Sequence, residues 1–137
     1  MSQLPENIVR FNALVGRILL ALLESHPIPV DLTAHEHVSE QDDTNFFEHT
    51  VKWLRAEGFV RVQTMPGIQA ANPTFHQTEL SEKGLHVLIR PPSNLKSREG
   101  TKSVGEQLKS VAISGAGVIA RKTADLEFAH IVASLFG

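Results

Sequence analysis

The sequence predicts an α+β fold that is mostly α: three helices, a two-stranded hairpin, a closing helix and a helical C-terminal extension. Three observations carry this. Apolar residues from Ile8 to Leu23 recur at helical steps. The stretch FFEHTVKWLRAEGFVRV, Phe46 to Val62, reads as a helix closed by glycine and running into a strand. Arg90-Pro91-Pro92-Ser93-Asn94 then marks a linker before an alanine-rich remainder.

The first helix is expected from Pro5 to Ser25. Pro5 suits a first-turn position, and Pro27 and Pro29 stop the helix. Ile8, Phe11, Val15, Ile18 and Leu22 form its stripe, widened by Leu14, Leu19 and Leu23, so this helix belongs to the core. Ile28 to Val30 reads as a short extended segment, because a residue before proline is biased away from helix. Thr33-Ala34-His35-Glu36 has the form of a capping box and opens a short second helix reaching about Glu40. Gln41, Asp42 and Asp43 make a turn with an aspartate available as the next cap.

The third helix is expected over Thr44 to Glu57. Phe46, Phe47, Thr50, Val51 and Leu54 form its inner face, Trp53 stands at the border, and Gly58 supplies the left-handed terminating residue. Phe59 to Thr64 alternates apolar and polar residues as a half-buried strand does. Met65-Pro66-Gly67 and Asn72-Pro73 punctuate a long hairpin tip, and the return strand is about Phe75 to Leu80. Ser81 caps a fourth helix with Leu85, Leu88 and Ile89 on one side. Gly84 inside that helix costs about 1 kcal/mol against alanine, which points to a close backbone approach. The expected organisation is a domain over residues 1–90, a linker over 91–102 and a helical extension over 103–137.

Composition narrows the function. Hydrophobic residues make up 42% of the 137, which suits one domain plus an appendage. Thirteen basic and fifteen acidic residues give a net charge of −2, which weighs against a large phosphate-tracking surface. The absence of cysteine excludes disulfides, thiolate zinc sites and cysteine nucleophiles and suits the cytoplasm. The N-terminal MSQLPENIVRFNALVGR lacks the order of a signal peptide. The apolar run VAISGAGVIA is about half of the roughly 20 residues a membrane span needs.

The helix-glycine-strand unit TVKWLRAEGFVRV (Thr50 to Val62) and the stretch TELSEKGLHVL (Thr78 to Leu88) resemble the winged helix-turn-helix superfamily, in particular small bacterial MarR- and PadR-type modules. The second stretch is similar to the LT-x-x-G-x-x-x-L pattern that closes the wing in many such domains, with Ser81 in place of the usual threonine. The resemblance covers roughly residues 8 to 90. It implies a DNA-binding transcriptional regulator, a homodimer, with the third helix in the major groove. Carried over by position, the DNA-facing residues are Thr44, Asn45, Glu48, His49, Lys52 and Arg55, with Arg61 at the base of the wing and Lys96 and Arg98 in the linker. The wing itself is about Gln63 to Gln77.

The charge pattern departs from that family. Residues 1–58 hold four basic and nine acidic residues, a net −5, and the wing between Gln63 and Gln77 has no lysine or arginine. Each carboxylate near a phosphate repels it. Asn45 has the groups to pair with adenine, Lys52 or Arg55 with guanine, and Glu48 with cytosine N4. The bland reading makes Glu48 and Lys52 a surface pair and the rest a solvated face. The leading expectation is therefore a DNA-binding regulator, and the alternative is a winged-helix protein–protein interaction module that does not bind DNA.

His35-Glu36-His37, with Asp42, Asp43 and His49 nearby, invites a metal reading, but i and i+2 on a helix face different ways, so no metal site is expected. No catalytic or cofactor fingerprint appears, so neither an enzyme nor a cofactor is expected. Ala112, Ala116, Ala120 and Ala124 fall at steps of four, and Leu126, Ala129, Ala133 and Phe136 continue an apolar face. A dimerisation seam or a seam with another chain, packing back on the first helix, and a membrane-surface helix all fit that row.

Overall fold

The computed structural model describes residues 5–38, 43–68, 71–89, 103, 105–109 and 131–133. The order is α1 (Glu6–Ser25), β1 (Val30–Thr33), α2 (Ala34–His37), α3 (Asp43–Ala56), β2 (Val60–Thr64), β3 (Thr74–Leu80) and α4 (Glu82–Ile89). Residues 105–109 and 131–133 are also helical. The fold is α+β and mostly helical, with one small antiparallel sheet of order β1-β3-β2. It forms two compact units, one of Met1–Leu20 with His86–Gly137 and one of Ala21–Leu85. The units part within α1 and within α4, whereas the composition of the chain suggested a boundary at the proline pair.

In the first unit, α1 starts where the Pro5 carbonyl accepts from the amides of Ile8 (3.0 Å) and Val9 (3.1 Å). Leu14, Val15, Ile18 and Leu19 are buried as their spacing predicts. Asn12, Ala13, Gly16 and Leu20 are buried as well, so this part of the helix is enclosed on more than its apolar stripe. Ile8, expected in the stripe, is exposed near the helix start. Leu88, Leu108 and Val132 are fully buried. A capping box does exist here, at Ser103-x-x-Glu106. The Glu106 amide donates to Ser103 Oγ (3.2 Å), and the Ser103 amide donates to Glu106 Oε1 (3.3 Å).

The second unit holds the sheet. Helix α1 ends there with Ser25, whose hydroxyl lies within bonding distance of the carbonyls of Ala21 (3.2 Å) and Leu22 (3.3 Å). The extended segment expected at Ile28 to Val30 is displaced: the strand is Val30–Thr33, and Ile28 is exposed. Its cause is pairing with β3, with Leu32 opposite Phe75 and Thr33 opposite Thr74. Across the other side of β3 the hairpin is regular, with Val60 opposite Leu80, Val62 opposite Thr78 and Thr64 opposite His76. Phe47, Val51 and Leu54 of α3 are fully buried, as are Leu22, Leu32, Ala34 and Phe75. The Phe47 and Phe75 rings meet at 6.0 Å, and His37 stacks on Phe47 at 5.5 Å. Each of the two phenylalanine rings contributes about 1.5–3 kcal/mol by leaving water.

Helix α3 ends in a Schellman motif. Gly58 has φ +84°, its amide donates to the Arg55 carbonyl (3.1 Å), and the Phe59 amide donates to the Leu54 carbonyl (2.9 Å). Ser81 then ties α3 to α4. Its hydroxyl donates to the Gly58 carbonyl and accepts from the Gly84 amide (3.0 Å), and its own amide donates to the Phe59 carbonyl (3.0 Å). The close approach expected at Gly84 is real: a Cβ there would lie 2.1 Å from the Phe59 carbonyl oxygen. Leu88 is buried on α4 and Leu85 half-buried, whereas Ile89 is exposed and does not share their side.

Candidate nucleic-acid interface

The exposed side of α3 follows from its buried one. With Phe47, Val51 and Leu54 inside, the helical period turns Asn45, His49, Lys52, Arg55 and Ala56 to solvent. Thr44 does not join them. It is 7% exposed and falls three residues before Phe47, on the apolar stripe itself, so it belongs to the inner face. Glu48 is half-buried and salt-bridged to Lys52, with Nζ 2.7 Å from Oε2. That pair offsets the positive charge most central to the helix face.

Two other cations of the second unit, Arg61 and Lys83, also have partners within it. Arg61 on β2 lies 3.7 Å from Glu79 directly across the hairpin. Lys83 donates to the Glu57 carbonyl at the end of α3 (2.8 Å) and sits 4.6 Å from the centre of the Phe59 ring. Trp53 stacks on the same ring at 6.1 Å. Arg55 is exposed, and no ion pair holds it among the described residues. The Ala21–Leu85 unit holds four basic and ten acidic residues in all, a net −6.

The hairpin is anchored on one arm. The capping box expected at Thr33 and Glu36 does not form: Thr33 has the extended backbone of a cap but its side chain does not cap α2. The α2 amides are satisfied instead from the hairpin, with His35 donating to Asn72 Oδ1 (3.0 Å) and Ala34 to the Pro73 carbonyl (3.0 Å). The Thr74 hydroxyl lies 3.4 Å from that of Thr33. Helix α2 closes at His37, short of the expected Glu40, which lies outside the described residues. Asp43 opens α3. His35 is exposed while His37 stacks on Phe47, so the two imidazoles part company as the i, i+2 spacing predicts.

A feature that sequence reading missed sits between β1 and β3. From Val30 to Leu32 the strand advances two residues while its partner advances three, from Thr78 to Phe75, leaving a bulge. Gln77 takes φ +52° there, and its amide donates to Asp31 Oδ1 (3.0 Å). His76 Nδ1 lies 3.4 Å from Asp31 Oδ2. The Gln77 amide chiefly holds the Asp31 carboxyl below its ordinary value; desolvation opposes it, and His76 adds a lesser lowering effect. Nothing local announces this; an aspartate before a short apolar strand has many uses.

At the tip, Met65 and Pro66 are half-buried and Ile68 is 97% exposed. Lys96 and Arg98 lie outside the described residues, as do Ala112, Ala116, Ala120, Ala124, Leu126 and Phe136. Among the described residues no helix is long and apolar enough to cross a membrane. No family model matches the chain, and neither a curated protein nor a solved structure matches it.

Proposed function

We propose that the chain carries a winged-helix module that recognises a protein, using the exposed side of α3 and the β2–β3 hairpin. The element order α1-β1-α2-α3-β2-β3-α4 accords with the winged-helix resemblance, with α3 as the recognition helix and the hairpin as the wing. The observation that carries the choice of partner is electrostatic. Lys52, Arg61 and Lys83 each have an intramolecular acceptor or carboxylate, the hairpin has no lysine or arginine between Gln63 and Gln77, and the unit is net −6. Duplex DNA demands the opposite, since its affinity rests on released counterions and on cations at phosphates. Protein interfaces, by contrast, deplete charge at their core.

The rival reading, a DNA-binding regulator, draws on the exposed Asn45, His49 and Arg55 of α3, which have the donors and acceptors to read base edges. Fluorescence anisotropy with a labelled mixed-sequence duplex of about 20 base pairs at about 50 mM salt separates the two. The module reading expects no saturable binding by the full chain. Saturable binding that Arg55→Ala weakens would establish the DNA reading in its place.

A further inference from the structure

We draw no further inference here: the strongest candidate, the side-chain cluster of Asp31, His76 and the Gln77 amide at the β1–β3 bulge, is exposed to solvent and its geometry is accounted for by the bonds within it, so nothing in the structure points from it to a ligand or a partner.

Discussion

Gly84→Ala tests the joint between α3 and α4 most sharply, because propensity and packing predict opposite signs. In an isolated helix alanine would stabilise by about 1 kcal/mol over glycine. Here the new methyl would lie 2.1 Å from the Phe59 carbonyl oxygen, 3.1 Å from its carbon and 3.3 Å from Leu80 Cδ2. The nearest obstacle is backbone, and that carbonyl is held by the Ser81 amide at 3.0 Å, so no flexible side chain can swing away. Relief requires α4 to move off the Gly58–Phe59 turn, which strains the Ser81 bonds to Gly58 and Gly84. Overpacking of this kind costs about 1–3 kcal/mol, and each weakened hydrogen bond adds about 1 kcal/mol. After the helix gain is taken off, the net loss is about 3 kcal/mol, lowering a urea midpoint by about 1–2 M. The single tryptophan, Trp53, stacks on Phe59 at this joint and supplies the fluorescence signal. A midpoint equal to or above that of wild type would refute the reasoning.

Ser81→Ala removes the α4 cap and the donor to the Gly58 carbonyl together, and should cost about 1–2 kcal/mol in the same assay. A loss within error would mean that solvent replaces both bonds. Asn72→Ala should free the His35 amide, which is read as faster hydrogen exchange at that site with α3 amides unchanged. Unaltered exchange would exclude Asn72 as the cap of α2. For Asp31 the folded pKa is depressed, so its contribution is present above the unfolded value and is lost as pH falls through the folded one. Wild type should therefore lose stability relative to Asp31→Asn as pH drops below about 4, followed by urea denaturation across that range. Parallel curves would contradict the assigned bond to Gln77.

What could be read from the sequence was what short-range chemistry dictates. The α3–Gly58–β2 unit was legible because a helix stripe, a left-handed glycine and an alternating strand each have a local signature. Gly84 was legible because a glycine inside a helix needs a neighbour to explain it. Thr33 and Glu36 were misread because the pattern of a capping box cannot reveal a competing acceptor 37 residues away, at Asn72. The box that does form, at Ser103 and Glu106, has the same spacing, so spacing alone does not tell the two apart. Strand β1 was displaced because four residues become a strand only through their partner, β3.

The candidate site was half legible. Asn45, His49, Lys52 and Arg55 come by position from the resemblance, and the structure exposes them. Thr44 comes in by position from the resemblance, although its spacing from Phe47, Val51 and Leu54 already puts it on the inner stripe. The Glu48–Lys52 pair followed from i,i+4 spacing. The Arg61–Glu79 pair did not, because it depends on hairpin register.

The central claim is that this acidic unit recognises protein and not DNA. Its most direct test is retention of pooled fragments of the chain's own genome by the purified full chain, at about 50 mM and about 150 mM salt. The account predicts that no fragment is enriched at the higher salt. Enrichment of particular fragments that survives it would contradict the account and identify a sequence-reading regulator together with its operator.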